Sequence, residues 1–278
     1  MDIVVALATY YKEECVRSKL ALESIQKLRN ESYGVIIVDE GSYCEFIDQI
    51  KKLGAKVYSI KKENLREAKR ESFLRAYESG NEFIVCMEPE KVDFVRSISG
   101  LIETMKNKNI DLVVPERKSL DICPKFQKNT EEKLNLFCKE ITGWDRDFSF
   151  GPLIWRRDCT KYFLNFKSQV EEANWDILFI PPLLAKEDGK KIKQIKIDFN
   201  YAKEMVEEEE DSLNFNQKSA DTHLKIGRIY DEMEDGKNSL MYVKLAHQIF
   251  KKAHKSSEMH ETQAFIESLT TKYKDISD

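Results

Sequence analysis

The sequence predicts an α/β fold built on a parallel sheet and followed by a small helical appendage. Short β-rich runs alternate with longer runs of helical period from residue 1 to about residue 115, which is typical of repeated βα units. Residues 204–211 form an acidic block of the kind found in solvated linkers, and only helix-period patterns follow it. We therefore predict a sheet domain at 1–203 and a helical C-terminal appendage at 204–278.

The individual elements follow from residue type and period. Runs rich in β-branched residues predict strands at residues 3–8, 35–38, 55–60, 82–87 and 111–114. Helical spacing predicts helices over 13–28 and 94–105, and a third helix capped by Asn64. After Pro115 the pattern predicts a polar loop, a helix over 130–141, and strands at 153–156 and near 192–199.

Charge and hydropathy exclude several classes of protein. The 278 residues include 45 Lys and Arg against 49 Asp and Glu, a formal net charge of −4, which argues against a nucleic-acid binder. No apolar run approaches the roughly 20 residues that span a bilayer, and the chain begins with a strand-like run rather than a leader. We therefore expect a soluble, cytoplasmic chain with no transmembrane segment.

Cysteine, histidine and glycine patterns narrow the chemistry. The six cysteines include no CxxC pair and no grouping with histidine at zinc spacing, so reduced thiols are expected. All four histidines lie at or after His223, which removes histidine-based nucleophile schemes from most of the chain. No GxG occurs, so glycine-rich phosphate-binding fingerprints are absent. Side chains or a metal would therefore have to bind a phosphorylated ligand.

Four polar motifs fall at the carboxyl ends of predicted strands, or just after them, where open α/β sheets bind ligands. They are Thr9-Tyr10 with Glu13-Glu14; Val38-Asp39-Glu40-Gly41-Ser42; Glu88-Pro89-Glu90-Lys91; and the basic run Arg66, Lys69 and Arg70.

The order of three of these motifs resembles the nucleotide-sugar-binding half of GT-A glycosyltransferases, particularly family 2, over about residues 2–200. In that family the corresponding motifs are a Pro-Thr-Tyr-Asn-Glu-Glu-like turn, Val-Asp-Asp-Gly-Ser, and Asp-x-Asp. Here Ala8 and Tyr11 replace the family's proline and asparagine, and Glu88 and Glu90 replace both aspartates of the third motif.

The resemblance implies a GT-A fold with a mixed, mostly parallel sheet flanked by helices. It also implies transfer of a sugar from a nucleotide-sugar donor to a saccharide, lipid or small-molecule acceptor. A divalent metal, Mn²⁺ or Mg²⁺, would lie at Glu88 and Glu90, although each glutamate arm is one methylene longer than aspartate. Asp39 would contact the nucleoside, with a capping role as its alternative, and Thr9 and Tyr10 would lie beside the base.

A nucleoside diphosphate becomes a good leaving group only when its charge is neutralised. Besides a metal with Lys91 beside it, the basic residues Arg66, Lys69 and Arg70 could supply that charge. Their alternative role is an exposed helix face that pairs with neighbouring glutamates.

The acceptor hydroxyl needs a base, and a carboxylate is the usual choice where histidine is missing. Glu171, Glu172 and Asp176 lie close to Trp175, and the family commonly has an acidic residue near a tryptophan at this point. Asp176 is the first candidate because Trp175-Asp176 begins an apolar run that ends in Pro181-Pro182, and Glu172 is the second. A capping or surface role is the alternative for Asp176. The segment 144–150, with Trp144, Asp145, Asp147, Phe148 and Phe150, could form an acceptor wall or pack in the core. His223 could be a metal ligand, but the sequence favours the alternative that it faces solvent on the appendage.

Two other function classes stay open. A non-catalytic GT-A-like binding or scaffolding module fits the replacement of both aspartates by glutamates. A sugar nucleotidyltransferase shares the architecture but needs a Gly-rich loop after the first strand, which residues 9–14 lack. The acidic link and the amphipathic tail helices could serve a homo-oligomer or a partner protein.

Overall fold

The computed structural model of the chain describes residues 2–61, 65–167, 176–210 and 256–273, and isolated positions between 224 and 251. The isolated positions are Leu224, Arg228, Leu240, Val243, Lys244, His247, Gln248 and Lys251. The chain divides into two compact units, one of residues 1–123 with 127–205 and one of residues 124–126 with 206–278. Among the described helices, none combines the length and the apolar character that a bilayer span requires.

Seven strands of the described residues form one sheet, in the order β3-β2-β1-β4-β6-β5-β7. The strands are β1 Ile3–Thr9, β2 Gly34–Asp39, β3 Lys56–Ser59, β4 Phe83–Cys86, β5 Leu112–Arg117, β6 Leu153–Arg156 and β7 Ile192–Ile197. Neighbouring strands pair in parallel except at β6, which runs antiparallel to β4 and to β5. The predicted mixed, mostly parallel sheet is therefore confirmed.

The α-helices described up to residue 210 lie between these strands or follow the last strand, and not all of them belong wholly to the first unit. They are α1 Val16–Asn30, α2 Cys44–Lys52, α3 Leu65–Glu78, α4 Ile98–Lys108, α5 Lys125–Thr142, α6 Lys161–Leu164, α7 Asp176–Glu187 and α8 Lys203–Glu210. The predicted helix over 94–105 is in fact a 3-10 helix, Val92–Ser97, that continues into α4. The proposed cap Asn64 lies outside the described residues.

The sheet separates two hydrophobic cores because successive strand residues point to opposite faces. Ile3, Val5 and Leu7 of β1 pack with residues of α1, α2 and α4. Val4 and Ala6 pack on the other face, where Phe73 of α3 stacks on Phe163 of α6 with ring centroids 3.9 Å apart. A fully buried phenylalanine contributes about 1.5–3 kcal/mol to folding, so this contact holds α3 firmly on the sheet.

Strand β5 continues past the point where the sequence predicted its end. Pro115 lies inside the strand and pairs in register with Ile195 of β7. On the other side, β6 pairs only with Leu112 and Val113, so at Pro115 the strand has β7 as its one partner and a missing N–H is tolerated, as at a sheet edge. The extension carries Glu116 and Arg117 into the sheet.

Helix α7 is not predicted by the sequence because it contains Pro181 and Pro182. Proline has no N–H to donate to the carbonyl four residues earlier, which for Pro182 is that of Leu178. In its place Arg146 directs Nη2 at the Leu178 carbonyl oxygen, 3.5 Å away. A residue distant in sequence thus supplies the donor that the helix lacks.

The described part of the second unit contains α9, Ser256–Lys272. The buried hydrophobic residues described in this unit are Leu224, Val243 and Leu269. His247 Nδ1 lies 2.9 Å from the Thr262 hydroxyl of α9.

Candidate functional site

The carboxyl ends of β1, β2, β3 and β4 share one edge of the sheet because these strands are parallel. Thr9 and Asp39, the last residues of β1 and β2, are paired in register, and Thr9 Oγ1 donates to Asp39 Oδ2 over 2.7 Å. Beyond β1, the Tyr11 hydroxyl donates to Glu90 Oε1 over 2.9 Å. The structure therefore brings residues of the first three sequence motifs together.

The Asp39 carboxylate builds the turn that follows β2. Oδ1 accepts the backbone N–H groups of Gly41 and Ser42 at 2.8 and 2.9 Å, and Oδ2 accepts the hydroxyls of Thr9 and Ser42. Gly41 has a φ of +107°, a conformation that glycine adopts without strain. With four donors and 2% exposure, Asp39 serves first as the anchor of this turn. Its predicted contact with a nucleoside stays a prediction.

Two tyrosines follow Thr9 and differ in exposure. Tyr10 is 37% exposed at this edge and presents its ring to solvent. Tyr11 is buried, with its ring edge-on to Phe46 at 5.0 Å. Burial and the neighbouring Glu90 raise the pKa of Tyr11 well above its ordinary value, so the phenol remains a hydrogen-bond donor.

Glu88 lies between two lysines. Lys69 Nζ is 3.1 Å from Oε1, and Lys91 Nζ is 3.4 Å from Oε2. Burial alone would raise the pKa of Glu88, but Lys69 and Lys91 lower it to about 2, so the carboxylate is charged. Burial would lower the pKa of both lysines, but neighbouring groups, Glu88 first among them, raise it above the ordinary value, so both remain cationic.

Gly151 packs directly against the Glu88 carboxylate. A Cβ built on this glycine would lie 2.6 Å from Glu88 Oε1, and its φ of +91° disfavours other residues. Because β6 is antiparallel to β4, with Leu153 opposite Cys86, the residues before β6 meet those after β4. The sequence does not predict a role for Gly151, which directly follows the aromatic segment 144–150.

The three basic residues predicted in α3, Arg66, Lys69 and Arg70, lie in two different environments. Arg66 Nη1 lies 3.5 Å from Asp176 Oδ2, at the first residue of α7. Arg70 donates to Glu67 Oε2 over 3.0 Å and to the Phe166 carbonyl. Arg66 and Lys69 therefore face acids of the candidate site, whereas Arg70 holds a neighbouring loop.

Asp176 is the one predicted base whose position is described. Its Oδ1 is buried and has no hydrogen-bond partner among the described residues. Glu172 and His223 lie outside the residues that the structure describes.

The rings of the aromatic segment before β6 do not form the predicted acceptor wall. Trp144, Phe148 and Phe150 are 6%, 1% and 0% exposed, because their rings pack in the two cores. The acids of the segment form ion pairs, Asp145 with Lys139 and Asp147 with Arg117. The core alternative is therefore correct for the rings.

Arg117 organises a polar cavity at the carboxyl end of β5, on the same edge of the sheet. It pairs with Asp147 at 2.7 Å and Glu131 at 2.7 Å, and it donates to Tyr201. The cavity has a volume of about 420 Å³. Its walls include Glu116, Arg117, Asn135, Asp145, Asp147 and Gln194. Arg117 was not predicted as a site residue because the sequence pattern favours a loop after Pro115.

A divalent cation does not fit at Glu88. Among the described residues no group of three or more His, Cys, Asp or Glu side chains could hold a metal. Mg²⁺ needs only one or two carboxylates, so the decisive observation is that both Glu88 oxygens face ammonium groups. Glu90 offers a single carboxylate that already accepts from Tyr11 and has Arg17 4.0 Å away. These contacts argue against Glu88 as a metal ligand, and the predicted metal role of Glu90 stays a prediction.

Comparisons with known proteins found no matching family model and no matching curated protein. Among solved structures, the Mycobacterium tuberculosis glucosyl-3-phosphoglycerate synthase is 16% identical, with 72% of each chain covered and a TM-score of 0.48. That protein has also been solved with Mg²⁺ and uridine diphosphate. A candidate nucleotide-diphospho-sugar transferase from Desulfovibrio desulfuricans G20 is 9% identical, with 91% of this chain and 98% of that chain covered and a TM-score of 0.46. At these TM-scores the similarities carry no argument about function.

Proposed function

We propose that the chain is a glycosyltransferase that transfers a sugar from a nucleoside-diphosphate sugar to an acceptor hydroxyl. The observation that carries the proposal is the nearly buried array of Lys69, Glu88 and Lys91 at the edge where β1, β2 and β4 end. Open α/β sheets bind ligands at this edge, and a buried excess of positive charge suits a diphosphate. The three sequence motifs that resemble GT-A enzymes support the same assignment.

The donor would lie across the ends of β1 and β2. Tyr10 offers an exposed ring for stacking on a base, and the turn held by Asp39 positions the backbone beside it. The diphosphate would then reach Lys69 and Lys91. In the reaction the bond between the sugar's anomeric carbon and the diphosphate oxygen breaks, and the acceptor oxygen forms the new bond to that carbon.

Asp176 would take the proton that the acceptor hydroxyl loses. Its buried Oδ1 has no partner among the described residues, and Arg66 lies 3.5 Å from Oδ2, where it can orient the carboxylate. The cavity at the end of β5 would hold the acceptor, because it opens on the same edge and its walls are polar. Glu172 remains the second candidate base.

The test combines binding with turnover. Calorimetry with UDP, GDP, CDP, ADP and dTDP should identify one base that binds, and release of that diphosphate from its sugar forms should depend on an added acceptor. Asp176→Asn should keep donor binding and reduce turnover by about 100-fold or more. Lys27→Met, on the exposed face of α1, is the control and should change neither quantity. Absence of binding by all five diphosphates would contradict the proposal.

A non-catalytic nucleotide-binding module is the second candidate. It is favoured by one observation, that all four hydrogen bonds of Asp39 are internal. Such a module would bind a nucleoside diphosphate and release none from its sugar forms with any acceptor.

A further inference from the structure

The charges around Glu88 are arranged for an anion. Lys69 and Lys91 approach different oxygens of the carboxylate, and their side chains are only 5% and 12% exposed. Together these three side chains carry two positive charges and one negative charge. Gly151 is packed against the same carboxylate, so Glu88 is held between the lysines and the chain before β6.

Aromatic rings hold the second lysine in place. Lys91 Nζ lies 5.3 Å from the centre of the Phe150 ring and 6.0 Å from that of Tyr201. Ring faces attract a cation without neutralising it. Lys91 is therefore oriented by its surroundings and keeps a full charge for a ligand.

A metal bound by Glu88 would have to displace both ammonium groups or lie beside them. Because like charges repel strongly where water is largely excluded, such a cation would bind weakly. An anion at the same place would meet two preformed donors. Phosphate oxygens and the Glu88 carboxylate would then compete for the same lysines.

We propose that Lys69 and Lys91 neutralise the donor diphosphate directly and that Glu88 is the counter-ion of these two lysines, not a metal ligand. This inference rests on the proposed function and adds the means by which the leaving group is bound. It predicts opposite outcomes from a metal site when Glu88 loses its charge. A metal ligand is needed for affinity, whereas a competing counter-ion lowers it.

The experiment uses the full chain and the nucleoside diphosphate that binds best, titrated with EDTA, with Mg²⁺ or with Mn²⁺. The variants are Glu88→Gln, Lys91→Met and Lys69→Met. Glu82→Gln is the matched control, because Glu82 pairs with Arg156 and lies just before β4, away from the site. Melting temperatures without ligand show whether each variant is folded.

We expect the dissociation constant in EDTA to lie within about twofold of that with either metal. Glu88→Gln should bind as tightly as the parent or several-fold more tightly, and Lys91→Met should bind about tenfold more weakly. Lys69→Met should weaken binding by a similar factor. If Lys69→Met does not fold because Lys69 is buried, Lys91→Met alone tests the role of the lysines.

Two results would overturn the inference and leave the proposed function standing. One is binding that disappears in EDTA, and the other is a loss of metal-dependent affinity in Glu88→Gln. Failure of every diphosphate to bind the parent chain under all three conditions would instead overturn the proposed function, and the inference with it.

Discussion

Gly151 packs directly against the Glu88 carboxylate, so that a Cβ at position 151 would lie 2.6 Å from Glu88 Oε1. The two residues belong to segments 63 positions apart that the antiparallel pairing of β6 with β4 brings together. The absence of a side chain at Gly151 thus allows the Glu88 carboxylate to occupy its position.

We predict that Gly151→Ala destabilises the chain by about 1–3 kcal/mol, because the methyl group displaces Glu88 and the positive φ is strained. Urea unfolding measures the change. Gly100→Ala is the control, since Gly100 lies in α4 with open space around it, and it should be neutral or stabilising by about 0.5–1 kcal/mol. Equal effects of the two substitutions would refute the packing argument.

The second prediction concerns acid. The folded pKa of Glu88 is about 2, below the value of about 4.3 in unfolded chains, so its stabilising contribution is present above pH 4.3 and is lost as the pH falls towards 2. The difference in unfolding free energy between the parent and Glu88→Gln should therefore shrink over this range. Glu23→Gln removes an exposed pair with Lys27 and should change stability by less than about 1 kcal/mol at any pH. A pH-independent difference for Glu88→Gln would contradict the assignment.

Asp39→Ala should destabilise the chain by about 2–4 kcal/mol, because it leaves the Gly41 and Ser42 N–H groups without their acceptor. The exposed Asp48 of α2 provides a control, and Asp48→Ala should have little effect. The measurement is the melting temperature without and with the bound nucleotide. A melting temperature of Asp39→Ala equal to that of the parent would contradict the claim that Asp39 stabilises the turn after β2.

Arg146→Met should leave stability unchanged within about 1 kcal/mol or increase it. Burial lowers the pKa of Arg146 to about 10, and its Nε and Nη1 atoms are buried without partners among the described residues. Methionine keeps the volume against Trp144 and Phe148 and removes that charge. Arg146→Ala should instead cost about 2–4 kcal/mol by leaving a cavity. A large loss in the methionine variant would show that the bond to the Leu178 carbonyl dominates.

A chain of residues 1–211 should fold with one cooperative transition and bind the nucleotide within about threefold of the full chain. The residues that build the candidate site, Asp39, Lys69 and Glu88 among them, all belong to the first unit. Calorimetric unfolding and titration measure both properties. Aggregation of the shortened chain would show that residues beyond 211 complete its core.

Strands β1, β2 and β4 could be predicted from sequence because each is a short apolar run, rich in β-branched residues, that is buried on both faces of the sheet. Helix α7 could not, since Pro181 and Pro182 argue against a helix until the donor from Arg146 is known. The extension of β5 through Pro115 was hidden for a similar reason, because it depends on where β6 stops pairing.

The location of the candidate site was also predictable, but its charge state was not. Polar residues after parallel strands must meet at one edge, and Thr9 and Asp39 do so. Glu88 would bind a metal cation or pair with lysines according to whether the Lys69 ammonium group contacts it, and Lys69 lies in a different βα unit. No local pattern encodes such a contact.

Strand β6 enters the sheet at the edge where β4 and β5 leave it. The rim of the candidate site is therefore assembled from chain segments that travel in opposite directions, with Gly151 on the incoming one and Glu88 on an outgoing one. Residues inserted ahead of β6 would enlarge this rim without shifting the register of the strands that carry Thr9 and Asp39. Changes in the incoming segment would thus alter the shape of this rim while Thr9 and Asp39 kept their positions.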